Sequence, residues 1–169
     1  MKSRIVHFSI AAAILLVDFL SKRYVLAHRA DFVVGIPLID GLLSFTYVRN
    51  AGAAFGMLQG GRWPFAVVSF AAAVALSWSL ARGRHARLRS TAYAMILAGA
   101  IGNLIDRLFY GGYVVDFILM SWREHHFPVY NVADMGVSIG AALLILSMLR
   151  ERPKQSDEVS VAESVEPEP

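Results

Sequence analysis

Four long apolar stretches dominate the hydrophobic pattern of the chain. They cover about residues 5–24, 63–81, 91–109 and 129–149. A helix needs about 20 predominantly apolar residues to cross the hydrocarbon core of a bilayer, and each stretch has about that length. The pattern therefore predicts an all-α membrane protein with four transmembrane helices.

The connection between the first two stretches is too long for a simple loop, and it carries a strand pattern. In LSFTYVRN (43–50) aromatic residues alternate with smaller ones, as in a half-exposed β-strand. The residues from Asn50 to Gly52 can turn the chain back through AAFGML, which predicts a hairpin. We expect a small extracytoplasmic sheet within residues 31–60.

The positions of Lys and Arg predict the orientation of the helices. Basic residues are concentrated before the first stretch, between the second and third, and after the fourth. They are Lys2, Arg4, Arg82, Arg84, Arg87, Arg89, Arg150, Arg152 and Lys154. Cytoplasmic loops carry the excess of positive charge, so we expect both termini inside and the loops 25–62 and 110–128 outside.

Composition supports a membrane class and restricts the possible chemistry. The 169 residues are 56% hydrophobic and only 17% charged, whereas about 25% is usual in soluble domains. The chain has no cysteine, which excludes disulfides, thiolate metal sites and a cysteine nucleophile. His125 and His126 are adjacent and lack the helical spacing of a zinc site. We expect no metal, no organic cofactor and no nucleic-acid partner.

Residues 1–152 are expected to form one transmembrane domain. The remaining segment, 153–169, is polar and acidic and contains no aromatic residue. Such a composition cannot bury enough apolar surface to fold, so we expect a disordered cytoplasmic tail.

Four carboxylates lie in or beside the apolar stretches: Asp18, Asp106, Asp116 and Asp134. A charged side chain within a bilayer segment costs at least about 2.5 to 3.5 kcal/mol on insertion scales, which makes each a hypothesis about function. With a rise of 1.5 Å per residue, the predicted orientation brings all four close to the outer face of the membrane.

Neighbouring residues can support these acids. Asp18 and Lys22 have the i, i+4 spacing of an acid and base pair, and Asn103 shares a helix face with Asp106 and Arg107. We expect Lys22 and Arg107 to neutralise the two acids. Small residues on the third and fourth stretches are expected to serve close helix packing; they are Ala98, Gly99, Gly102, Gly136 and Gly140.

Two carboxylates brought together at low dielectric share one proton, which supplies an acid and a base. Asp116 and Asp134 can then hydrolyse a peptide bond with activated water. Spacing alone leaves alternatives open, because ion pairs with Arg107 or Lys22 also place carboxylates in membranes. An ion- or proton-coupled transporter and a structural assembly partner remain possible.

Five ordered motifs resemble the lipoprotein signal peptidases of bacteria, the type II signal peptidases. The motifs are DFLSK (18–22), VRNAGAAFG (48–56), AGAIGNLIDR (98–107), VDF (115–117) and YNVAD (130–134). The resemblance implies an aspartic peptidase of the inner membrane that cuts diacylglyceryl-modified prolipoproteins immediately before the lipidated cysteine. It also implies inhibition by the cyclic peptide globomycin, and we expect a monomer in contact with membrane lipid.

The resemblance assigns Asp116 and Asp134 as the catalytic dyad. It implies that further residues bind or support the substrate, namely Asn50, Gly52, Asn103, Arg107 and Asn131. Asp18, Lys22 and Asp106 would form structural charge pairs. Tyr130 and Ala98 depart from the usual Phe and Gly of their motifs, and the sequence does not indicate which aspartate carries the proton.

Overall fold

The structure is a computed structural model that describes residues 2–52 and 62–150. Within these ranges the chain forms five helices and four strands. In chain order they are α1 (Lys2–Ala27), α2 (Arg29–Val34), β1 (Ile36–Ile39), β2 (Leu43–Asn50), α3 (Arg62–Arg82), α4 (Arg87–Phe109), β3 (Val114–Trp122), β4 (His125–His126) and α5 (Val132–Arg150).

The four predicted transmembrane helices are confirmed as α1, α3, α4 and α5. Each is long and apolar enough to cross a membrane, and the described residues contain four such helices. Large apolar side chains cover the outside of the bundle, where Phe70 is 61% exposed and Leu149 is 79% exposed. Lipid is the solvent that suits such a surface, so the chain is a multi-pass membrane protein.

Helix α4 lies at the centre of the bundle and packs against α1, α3 and α5. Its buried face consists largely of small residues: Ala92, Ala94, Ala98, Gly99, Ala100 and Gly102. Small residues let membrane helices approach closely. On α5, a Cβ at Gly140 would lie 2.9 Å from the carbonyl oxygen of Ala92, so the predicted packing role of these glycines is confirmed.

An antiparallel sheet in the order β1-β2-β3-β4 sits at one end of the bundle. The predicted small sheet is confirmed, but β3 and β4 come from the 110–128 link, where no strand was predicted. The first four residues of β3 are all buried, so the segment lacks the alternation that reveals a half-exposed strand.

The predicted limits of the outer β region need correction. Residues 31–34 belong to the short helix α2, and the first strand begins at Ile36. Phe32 of this helix packs with Val25, Val115 and Phe117 in a buried cluster that fixes the sheet to the end of α1. The predicted return of the hairpin through AAFGML and the predicted disordered tail, 153–169, lie outside the described residues.

Replacing Gly140 with valine is expected to destabilise the bundle. The new Cβ would meet the backbone of α4, which cannot move without separating the two helices. Overpacking of this kind costs about 1–3 kcal/mol. Thermal unfolding in detergent measures the effect, and Ala142→Val on the exposed face of α5 is the matched control. Equal stability of the two variants would contradict the close contact.

Candidate active site

Asp116 lies in the buried part of β3, opposite Val48 of β2 in the strand register. Its side chain is 1% exposed, and each carboxylate oxygen accepts one amide hydrogen. Asn50 Nδ2 donates to Oδ2 over 2.9 Å, and Asn131 Nδ2 donates to Oδ1 over 2.6 Å. The carboxylate is therefore held on both sides by groups that cannot titrate near neutral pH.

Asp134 occupies the first turn of α5, where it forms a reciprocal cap with Asn131. The backbone N–H of Asp134 donates to Asn131 Oδ1 over 2.9 Å, and the N–H of Asn131 donates to Asp134 Oδ2 over 3.2 Å. This is the geometry of a capping box, with Asn and Asp in the two roles. The other oxygen of Asp134 accepts from Asn103 Nδ2 over 2.7 Å.

Donors that cannot reverse their role fix the orientation of two of the amides, those of Asn103 and Asn50. Lys22 Nζ donates to Asn103 Oδ1 over 3.1 Å, which turns the amide nitrogen of Asn103 toward Asp134. The N–H of Gly52 donates to Asn50 Oδ1 over 2.9 Å and has the same effect on Asn50. Because an ammonium group and a backbone N–H only donate, each amide must present its own N–H to the aspartates.

The pair Asp18 and Asp106 is bridged by Lys22. Its Nζ atom lies 2.8 Å from Asp18 and 3.0 Å from Asp106, and all three side chains are buried. Asp18 also accepts the backbone N–H of Ala133 over 2.8 Å, and Asp106 accepts the N–H of Val115 over 3.0 Å. Asp18 therefore holds the residue before Asp134, and Asp106 holds the residue before Asp116.

One expected pair is wrong: Asp106 is neutralised by Lys22 and not by Arg107. Consecutive residues of a helix point about 100° apart, so the two side chains leave α4 in different directions. Arg107 instead donates to the carbonyl oxygens of Asn103 and Gly52, both over 3.3 Å. Among the described residues, neither Asp116 nor Asp134 forms an ion pair with Lys or Arg.

A cavity of about 780 Å³ opens onto both Asp116 and Asp134. Six of the seven residues predicted to act in catalysis or substrate binding line it: Asn50, Gly52, Asn103, Arg107, Asp116 and Asp134. Asn131 lies behind them and is fully buried. The rest of the lining is mainly apolar and includes residues of α3. The sequence suggested no site residue in this helix, because its small and hydroxyl residues look the same as residues that only pack.

The environment of Asp116 favours a protonated carboxyl. Burial raises the pKa of Asp116, and the negative charge of Asp134 raises it further, to about 7. The hydrogen bonds from Asn50 and Asn131 act in the opposite direction and offset part of the rise. A carboxyl with this pKa can hold a proton near neutral pH and release it to a partner.

Replacing Lys22 with methionine is expected to destabilise the protein strongly. The variant leaves Asp18 and Asp106 buried without their shared cation, and breaking a buried ion pair in this way costs about 3–5 kcal/mol. Thermal unfolding in detergent measures the loss. Arg23→Met is the matched control, since Arg23 is only half-buried and stacks on Tyr110.

Adding Asp18→Asn and Asp106→Asn to the Lys22 variant should restore much of the stability, because the unpaired charges disappear while oxygen acceptors for Ala133 and Val115 remain. A Lys22 variant as stable as the Arg23 variant would contradict the bridging role.

Comparison with known proteins agrees with this geometry. The sequence model of the family described as signal peptidase (SPase) II matches residues 10–150. A lipoprotein signal peptidase of Halalkalibacterium halodurans is 38% identical over 154 residues, which cover 90% of this chain and 97% of the relative. Another, of Pseudoalteromonas translucida, is 42% identical over 160 residues, covering 91% of this chain and 95% of the relative.

Solved structures show the same fold. A bacterial membrane enzyme determined by the in meso method at 2.3 Å resolution superimposes with a TM-score of 0.79 and 29% identity, over 90% of this chain and 93% of that one. A second, at 1.9 Å resolution, gives a TM-score of 0.74 and 30% identity, over 87% of this chain and 94% of that one. The chain belongs to the signal peptidase II family and is a peptidase.

Proposed function

We propose that this chain is an aspartic endopeptidase that removes signal peptides from diacylglyceryl-modified prolipoproteins, cutting immediately before the lipidated cysteine. One observation carries the proposal: Asp116 and Asp134 face the same largely apolar cavity, and every one of their carboxylate oxygens accepts an amide N–H. The relatives named lipoprotein signal peptidase support the substrate class.

Asp134 is the ionised member of the dyad and Asp116 the protonated one. The first turn of a helix favours a negative charge through its free N–H groups, and Asp134 lies in the first turn of α5. Asp116 lies in a strand, which has no comparable dipole. The raised pKa of Asp116, about 7, supports the same assignment.

Hydrolysis then follows from one shared proton. Asp134 takes a proton from a water molecule, and the oxygen of that water attacks the scissile carbonyl carbon. At the same time Asp116 gives its proton to the carbonyl oxygen. The resulting gem-diol collapses when a hydroxyl returns its proton to Asp116 and the C–N bond breaks. The leaving nitrogen takes the proton held by Asp134, so the dyad ends in its starting state.

The remaining predicted site residues have supporting roles in this proposal. Asn50, Asn103 and Asn131 orient the two carboxylates through the hydrogen bonds described above. Arg107 fixes the carbonyl oxygen of Gly52 and lines the cavity, where it can contact the substrate backbone. Asp18, Lys22 and Asp106 hold the backbone on which the dyad is mounted.

We place the chain in the bacterial inner membrane, with both termini in the cytoplasm and the site near the outer face. The basic link between α3 and α4 lies at the end of these helices away from the sheet, which suits the positive-inside rule. All polar groups of the site come from one chain, consistent with an active monomer. The cavity is also the binding site we propose for globomycin.

Asp116→Asn and Asp134→Asn are each expected to lower kcat about 10²- to 10⁴-fold, the usual contribution of a general acid or base. Purified variants are assayed for cleavage of a diacylglyceryl prolipoprotein, with thermal unfolding in detergent as the test of folding. Asp40→Asn, which changes a carboxylate of the β1–β2 turn, is the control. Substantial turnover by either dyad variant would refute the mechanism.

The pH profile of kcat/KM reports the shared proton. As the pH rises above about 7, Asp116 loses the proton that the free enzyme needs, so kcat/KM should fall about tenfold per pH unit. A rate that stays constant from pH 6 to about 9 would contradict the assignment of Asp116 as the acid.

A further inference from the structure

The cavity extends from the dyad as a groove between α3 and α5, with α4 as its floor. Gly99 and Ala100 form part of the floor, and Val68 and Ile139 lie on the two rims. Val68 is 66% exposed and Ile139 is 46% exposed, so the rims project from the bundle. The groove is therefore open along its length to an apolar segment that lies in the membrane.

Two hydroxyl groups interrupt the apolar walls of this groove. Ser69 lines it from α3, and Ser138 lines it from α5. Ser138 follows Asp134 by one helical turn, which places it about 6 Å farther along α5. Counted from the sheet ends of their helices, Ser69 and Ser138 lie at similar depths, about 10 Å and about 9 Å.

A signal helix that reaches the dyad must end within this part of the groove. The last four carbonyl groups of any helix lack intrahelical partners, and a peptide must be opened to an extended form before water can attack it. Each unpaired carbonyl in an apolar environment costs several kcal/mol. The substrate therefore brings bare carbonyl oxygens to a level about one turn beyond the dyad.

We infer that Ser69 and Ser138 form a binding subsite for these carbonyl oxygens, and so recognise the opened end of the signal helix. The inference rests on the proposed function, since it requires a helical substrate cut at Asp116 and Asp134. The diacylglyceryl group is the other apolar part of the substrate. Its hydrocarbon chains have no acceptor for the two hydroxyls, and its ester carbonyls are attached through the lipidated cysteine, on the other side of the scissile bond from the signal helix.

The double variant Ser69→Ala and Ser138→Ala tests the subsite. We expect kcat/KM for a diacylglyceryl prolipoprotein with its full signal helix to fall about tenfold, the effect of losing two modest hydrogen bonds. The double variant should cut a shortened lipidated peptide, which keeps only the residue before the cysteine, at the same rate as the wild-type enzyme. Ser77→Ala on α3 and Ser147→Ala on α5 are matched controls, because neither residue lines the cavity.

A backbone substitution in the substrate identifies the acceptor. Replacing the amide bond two residues before the scissile bond with an ester weakens that carbonyl as an acceptor. The ester should lower kcat/KM for the wild-type enzyme several-fold and have little effect on the double variant, because the partner hydroxyls are already absent.

Several outcomes would overturn the inference. An undiminished rate in the double variant would show that the hydroxyls do not bind the substrate. An equal loss with the full and the shortened peptide would indicate an effect on the dyad or on the lipid. Additive losses from the ester and the serine substitutions would exclude contact between them. Failure of the wild-type enzyme to cut either peptide would instead refute the proposed function.

Discussion

The ammonium group of Lys22 makes three short polar contacts, and these contacts connect the elements that carry the site. It lies 2.8 Å from Asp18, 3.0 Å from Asp106 and 3.1 Å from the side-chain oxygen of Asn103. All three of its protons are therefore used. Because Asp18 holds the N–H of Ala133 and Asp106 holds that of Val115, one cation fixes both the start of α5 and the start of β3.

This arrangement separates the structural acids, Asp18 and Asp106, from the acids of the proposed dyad, Asp116 and Asp134. Asp18 and Asp106 have a cation between them, which stabilises both as carboxylates. Asp116 and Asp134 have neutral amides as partners, which orient their oxygens without neutralising them. Amides neither ionise nor become protonated near neutral pH, so a proton on this pair stays on one of its two carboxyls or passes to the substrate or water. The positions of the amides thus confine the chemistry to the dyad.

Much of this organisation was predictable from the sequence, for physical reasons. Transmembrane helices must be about 20 apolar residues long, so their number and approximate limits could be predicted. Counting the rise per residue along those helices also predicted that the four carboxylates lie at one level. In the structure they belong to one hydrogen-bonded network. The motifs singled out Asn50, Asn103 and Asn131, which do surround Asp116 and Asp134.

The parts that were missed depend on rotation and packing. The rotation of α4 about its axis decides whether Asp106 faces Lys22, and local spacing favoured Arg107 as the partner of Asp106. Strand β3 escaped prediction because its buried start shows no alternation. The backbone N–H groups of Ala133 and Val115 have no signature in a side-chain sequence, although they position the dyad.

The depth of the site also explains why this fold suits hydrolysis better than transport. Asp134 lies in the first turn of α5, and Asp116 lies in a strand beyond the end of α4. A transport site is expected near the midplane of the membrane, with access from both faces. Here the polar end of the cavity meets the sheet, at one end of the bundle, and the rest of the cavity is lined mainly by apolar side chains. Water and an apolar substrate helix can therefore approach the same pair of carboxyls from different sides, which is the condition that cutting a peptide bond within a membrane imposes.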